Sequence, residues 1–131
     1  MGVKCLLDTH ALVWAILEPD RLGQRARVII EDPANLLVVS SVSAFEIANK
    51  HRLGKWPEVN DVLDRYNEYL GELNAVRLDM KDTHALMAGS LSMAHRDPFD
   101  RLLIAQALTE GLSMVSADPA FRGVPRLKII W

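Results

Sequence analysis

Short apolar runs alternate along this chain with stretches whose apolar residues recur every three or four positions. Five runs read as strands: Val3–Leu7, Leu36–Ser40, Ala75–Leu78, Leu112–Ser116 and Leu127–Ile130. The first, second and fourth are apolar almost throughout, the pattern of strands covered on both faces. Between them the spacing predicts six helices. Thr9 to Leu17 is apolar nearly all round, as in a buried helix. Leu22, Ala26, Ile29 and Ile30 mark the second, with Pro33 as its stop, and Ser41 to Leu53 is the third, closed by Gly54. Val59, Val62, Leu63, Tyr66, Leu70 and Leu73 form the stripe of a fourth. Met80, His84, Met87, Leu91 and Ala94 give a fifth, and Phe99 to Glu110, ended by Gly111, a sixth. Strands alternating with helices predict an α/β fold, a layered sandwich with a central, mostly parallel five-stranded sheet. Chemistry in such folds gathers at the carboxyl ends of the strands.

Composition narrows the class. At 131 residues, half of them apolar, the chain supports one domain over residues 1–131 without a disulfide or zinc staple. No repeat, low-complexity segment or linker interrupts it. Its single cysteine, Cys5, has no partner for an internal bridge, which fits a reducing compartment. The apolar start is broken by Asp8 and His10, unlike a signal peptide, and no apolar run approaches the roughly 20 residues of a membrane helix. The expectation is a soluble cytoplasmic protein. A net charge of −2 argues against a protein that coats nucleic acid through bulk positive charge, but not against a nuclease.

The position of the acids matters more than their number. Asp8 ends the first strand in LLDTHALVW and suits a helix N-cap. Glu46 lies one turn into the third helix, spaced to pair with Lys50. In HRDPFDRLLIAQAL, Asp97 before Pro98 reads as a helix start, whereas Asp100 shares the face of Leu103, Ile104 and Ala107. An inward acid beside an apolar face is costly unless it is paired or binds a cation. Asp118 follows the fourth strand in MVSADPAF, where Asp118-Pro119 again reads as a cap.

Each acid has a local structural explanation, yet Asp8, Glu46, Asp100 and Asp118 all fall at or beyond the carboxyl side of the sheet. Converged carboxylates repel one another unless a cation neutralises them, and oxygen ligands without a Cys or His cluster favour Mg²⁺ or Mn²⁺ over zinc. His10, His51, His84 and His95 lack the spacing of a helical metal pair, and His84 reads as a core residue. Carboxylate-held magnesium suits phosphoryl-transfer chemistry. Neither a G-x-x-x-x-G-K-[ST] loop nor a G-x-G-x-x-G turn is present to cradle a nucleotide. A haloacid-dehalogenase-type phosphatase would need a second Asp where His10 stands.

Four landmarks in order, LLDTHALVW, SAFEIANKHRLGK, HRDPFDRLLIAQAL and MVSADPAF, span nearly the whole chain. With them the sequence resembles the PIN-domain ribonucleases, specifically the VapC-type toxins of toxin–antitoxin pairs. The resemblance implies a PIN-like three-layer sandwich with the first strand central. It implies a Mg²⁺- or Mn²⁺-dependent endoribonuclease that hydrolyses RNA through a metal-activated water. It further implies inhibition by a cognate VapB-type antitoxin and assembly as a homodimer and toxin–antitoxin hetero-oligomer. The family's four acids match Asp8, Glu46, Asp100 and Asp118. Asp8 and Asp100 are the expected direct metal ligands, while Glu46 and Asp118 would orient the water or complete a second metal position. Asp97 is an additional acid, either assisting the metal or capping the helix.

Other residues carry two readings each. Thr9 and Ser116 are turn hydroxyls that could also bond a carboxylate or the scissile phosphate. Lys50, His51, Arg52 and Lys55 suit either RNA phosphates or a helix C-terminus. Arg96 and Arg101 flank the third acidic block, and Trp14 and Trp56 are core residues or part of an interface. Two other functions compete: a catalytically inactive PIN-like module that binds RNA or a partner, and a receiver-type domain in which Asp79, after the third strand, is phosphorylated.

Overall fold

The computed structural model describes residues 2–93 and 97–131. Ala94, His95 and Arg96, which entered the expectations above, lie outside the described residues. In chain order the elements are β1 (Lys4–Leu7), α1 (Thr9–Leu17), α2 (Gln24–Glu31), β2 (Leu36–Ser40), α3 (Ser41–Arg52), α4 (Asn60–Asp64) and α5 (Tyr66–Glu72). They continue with β3 (Val76–Leu78), α6 (Asp82–Ser90), α7 (Pro98–Glu110), β4 (Ser113–Val115) and β5 (Ile129–Ile130). Short 3-10 turns at Pro19–Arg21, Pro57–Val59 and Pro119–Phe121 each begin on a proline, whose fixed φ suits a first helical position.

The strands form one sheet in the order β3-β2-β1-β4-β5, and every pairing is parallel. Successive side chains on the buried strands enter opposite layers. Cys5, Leu7, Leu37, Val39 and Val115 pack with α1, while Leu6, Val38 and Met114 pack with Leu103, Ile104 and Ala107 of α7. That two-sided burial explains why these strands read as continuous apolar runs. β1 lies at the centre, and the strand order reverses between it and β4. One connection leads from β1 outward to β2 and β3; the next crosses back to β4 and β5 on the other side. Asp79 follows β3, an edge strand, so it stands at the margin of the sheet, two strands from the end of β1. That position does not suit the receiver-type reading.

Three expectations are corrected. The single stripe from Val59 to Leu73 is broken into a 3-10 turn and two helices by Arg65, whose φ of −119° and ψ of 29° are not helical. The apolar spacing continues through the break because both helices face the same core. The fifth helix stops at Ser90: Leu91 has a ψ of 126°, although its side chain still packs on the α7 layer. The third, fourth and fifth strands are shorter than their apolar runs, at Val76–Leu78, Ser113–Val115 and Ile129–Ile130.

Two glycines are required for different reasons. Gly111 ends α7 in the left-handed region at φ 67°, with open space where a Cβ would be. Gly23 has an ordinary φ, but a Cβ there would lie 2.6 Å from both the backbone carbon and Cδ1 of Trp131. The Trp131 carbonyl sits this close because it accepts the Arg25 and Ala26 N–H groups, satisfying orphan donors at the start of α2. Gly111→Ala should therefore cost about 1 kcal/mol of unfolding free energy from backbone strain alone. Gly23→Ala should cost about 2 kcal/mol or more, because Trp131 must move. Urea unfolding of the two variants checks the order.

Candidate active site

Parallel α/β sheets form a crevice where the strand order reverses, outside the carboxyl ends of the two strands that diverge there. Here those strands are β1 and β4. Asp8 leaves β1 with its N–H bonded to the Val115 carbonyl at 3.0 Å, so the backbone pairing runs one residue beyond β1 to the last residue of β4. Its side chain then turns back to cap α1, Oδ1 accepting the Ala11 N–H at 2.7 Å. Ser116, buried at the end of β4, hydrogen-bonds the same carboxylate and also accepts the Asp118 N–H at 3.0 Å. Asp118 caps the 3-10 turn through Ala120 at 2.9 Å and remains exposed. Asp8 and Asp118 thus stand on one wall of a cavity of about 530 Å³.

Asp8 is only 6% exposed, and its environment opposes its charge. Burial pushes its pKa up to about 6; the bonds from Ser116 and Ala11 work against that rise, and the charges of Asp100 and Glu46 add to it. Glu46 is 4% exposed and held at both oxygens. Oε1 accepts the Thr9 hydroxyl at 2.6 Å, and Oε2 accepts the Lys50 ammonium at 2.5 Å. Thr9 Oγ1 lies 3.0 Å from Ser43 Oγ. Since the one Thr9 proton goes to Glu46, Ser43 is the donor to Thr9. The two hydroxyls and the lysine fix the buried carboxylate within α3 and against the start of α1.

The remaining expected residues divide. Asp100 is half-buried in the first turn of α7, close enough to raise the Asp8 pKa, but it does not line the cavity. Asp97 is exposed and acts as the α7 cap, Oδ1 accepting the Phe99 and Asp100 N–H groups at 2.9 and 3.2 Å. Among the described residues no group of three or more His, Cys, Asp or Glu side chains stands close enough to hold a metal ion. Asp8 therefore feels the charges of Asp100 and Glu46 and shares a cavity with Asp118, while the four form no compact ligand shell among the described residues. What fits a hard divalent cation is the donor set: oxygen ligands, with one buried carboxylate whose charge the protein leaves poorly compensated.

Thr9 and Ser116 both bond carboxylates. Lys50 is committed to Glu46, Arg52 bonds the Asn49 side chain, and with His51 they close the last turn of α3. Arg101, among other contacts, donates to the carbonyls of Ala88, Leu91 and Met93, tying α7 to the end of α6. His84 is fully buried and satisfied: Nδ1 accepts the Lys81 N–H, which leaves the proton on Nε2 to donate to Glu110 at 2.9 Å.

His10, Ser43 and Arg21 escaped the sequence reading. His10 lines the cavity between Trp14 and Trp56, at 5.7 Å from the first and stacked at 4.8 Å on the second. Burial and the Lys50 charge lower its pKa. The four-residue spacing of His10 and Trp14 within α1 was the available signal. Trp14 and Trp56 are half-buried, with one side on the core and the other on the cavity.

Comparison with known proteins matches the PIN domain family over residues 5–127. Ribonuclease VapC22 of Mycobacterium tuberculosis is 29% identical over 131 residues, covering 96% of this chain and 97% of that protein. Among solved structures, VapBC2 from Rickettsia felis bound to a DNA fragment from its promoter aligns with a TM-score of 0.69 at 16% identity, over 97% of each chain. DNA-bound VapBC from Salmonella typhimurium aligns with a TM-score of 0.69 at 17% identity, over 98% of this chain and 97% of that one.

The Asp8 environment has a measurable consequence. A carboxyl held at about 6 in the fold, and near 4 in the unfolded chain, costs the folded state on the order of 2 kcal/mol once both are ionised. The cost is absent below about pH 4, grows as pH rises towards 6, and is complete above it. Asp8→Asn keeps the cap to Ala11 and removes the charge. In metal-free buffer its Tm should exceed that of the unsubstituted chain by about 5 °C at about pH 8, and the difference should vanish near pH 3.5.

Proposed function

The chain belongs to the PIN-domain family, and we propose that it is a Mg²⁺- or Mn²⁺-dependent endoribonuclease of the VapC kind, acting in the cytoplasm and restrained by a small VapB-type antitoxin. The observation that carries this reading is the buried Asp8 carboxylate at the strand-order reversal, facing a cavity it shares with Asp118. The likeness to a curated ribonuclease along almost the whole chain supports an RNA substrate. The likeness to VapBC assemblies supports an antitoxin partner. The toxin would pair as a homodimer within that complex.

In this reading Asp8 and Asp100 would hold the cation, and Glu46 and Asp118 would orient a water or complete a second position. When bound, the divalent ion neutralises the carboxylates and stabilises charge on the phosphate and leaving oxygen. Each protein group has a narrower task. The Ala11 N–H and Ser116 hydroxyl hold Asp8 in one orientation, and the Ser43–Thr9 pair does the same for Glu46. Thr9 and Lys50 take one acceptor site on each Glu46 oxygen, and the remaining lone pairs would serve water or a cation. Asp97 is left as a helix cap.

The dispersed acids favour a second reading, an inactive PIN-like module that binds RNA or a partner. Incubation of the purified chain with structured RNA in Mg²⁺ or Mn²⁺ separates the two. The enzyme reading expects cleavage that EDTA abolishes and that Asp8→Asn lowers by about 100-fold or more. Intact RNA under every condition, with RNA still bound, would establish the module instead. Mg²⁺ should also raise the Tm of the unsubstituted chain at neutral pH and leave that of Asp8→Asn unchanged.

A further inference from the structure

The cavity beside Asp8 and Asp118 has a second wall that the proposed hydrolysis does not use. His10 stacks on Trp56 at 4.8 Å with planes 28° apart, and Trp14 leans on His10 at 5.7 Å. Trp131 extends the string beyond Trp14 at 5.8 Å, so all three tryptophans of the chain belong to it. Trp14 and Trp56 are anchored in the core on one side and line the cavity on the other. His10 is exposed. Cations flank the wall: the Arg21 guanidinium lies 4.5 Å over the Trp14 ring and 3.6 Å from the exposed Glu18 carboxylate, and the Lys50 ammonium, bonded to Glu46, lies 5.9 Å from the Trp56 ring.

Rigid aromatic faces between cationic side chains match the chemistry of single-stranded nucleic acid, with bases on rings and phosphates against cations. The cavity volume of about 530 Å³ lies within the range of small-ligand sites and accommodates a nucleotide. A protein helix would instead call for an extended aliphatic groove, and carboxylates at Asp8, Glu18, Glu58 and Asp118 interrupt this lining. We propose that His10, Trp14 and Trp56 form a nucleobase-stacking subsite, seating an unpaired base of the RNA next to the acidic centre, with Arg21 placed for the adjoining phosphate. The proposal rests on the ribonuclease reading and deepens it: the substrate is single-stranded at the cut, and the wall sets which nucleotide stands there.

The test uses the Asp8→Asn chain in Mg²⁺, which holds RNA uncut, and two probes: a mixed-sequence hexaribonucleotide and an abasic hexamer with the same ribose-phosphate backbone. Every tryptophan lies in the string, so intrinsic fluorescence reports on it directly. The hexamer should quench this fluorescence and bind at least about tenfold more tightly than the abasic probe. His10→Ala, at an exposed position, and Trp56→Leu should each remove most of that tenfold advantage while leaving abasic binding unchanged. Equal binding of the two probes, or equal weakening of both by the variants, overturns the subsite. So does unchanged RNA binding when the variants weaken only a protein antitoxin. Base-dependent quenching of the Asp8→Asn chain, with no RNA cleavage by the unsubstituted chain, would keep the subsite and reject the ribonuclease. Cleavage without base dependence would do the reverse.

Discussion

A carboxylate is held almost out of water at the point where the sheet reverses its strand order, and the rest of the site is arranged around that fact. The position of Asp8 follows from the parallel pairing of β1 with β4, which extends one residue past the strand to the Val115 carbonyl. Its orientation follows from the demand of α1 for an N-terminal acceptor. Those two requirements make Asp8 a good cap. They also bury a negative charge beside Asp100 and Glu46, with no cationic side chain of the described residues among the hydrogen bonds that hold it. A cap needs no such environment, since Asp97 and Asp118 perform the same task exposed. The excess cost at Asp8 is what distinguishes a site from a helix start.

Glu46 shows the other way to keep a buried acid. Thr9 and Lys50 occupy its two oxygens, and the hydroxyl of Ser43 fixes Thr9 in turn. This carboxylate is compensated by the protein itself, through Lys50. The two acids thus divide along a physical line: among the described residues one is bonded by neutral groups alone, and the other by a lysine. The proposed stacking wall adds a positioning element beside them, built from side chains whose inner faces already belong to the core.

The sequence pattern made the sheet and the order of elements legible, because two-sided burial writes itself as unbroken apolar runs, and the family resemblance implied the central β1. β2 agrees to the residue, and α1, α3 and α7 to within one. The break at Arg65 was invisible, since the flanking stripe keeps its period while the backbone does not. The acids could be placed at the strand ends by the crevice rule, and their caps read from Asp-Pro pairs. Burial was not legible: nothing in LLDTHALVW separates a buried Asp8 from the exposed Asp118 of MVSADPAF. His10 was discounted for lacking a metal-pair spacing, although its partner Trp14 stood four residues on. Trp56 reaches His10 only through the tertiary fold.

The central claim is that Asp8 keeps an uncompensated charge which a divalent cation relieves. Carbon-detected NMR titration of the Asp8 carboxyl, with and without Mg²⁺, measures this at the atom concerned. The account predicts a midpoint about 6 in metal-free buffer, falling below the ordinary carboxylate range when Mg²⁺ is added. A midpoint near 4 that Mg²⁺ leaves in place would contradict it, because Asp8 would then be no more than the first residue of a helix.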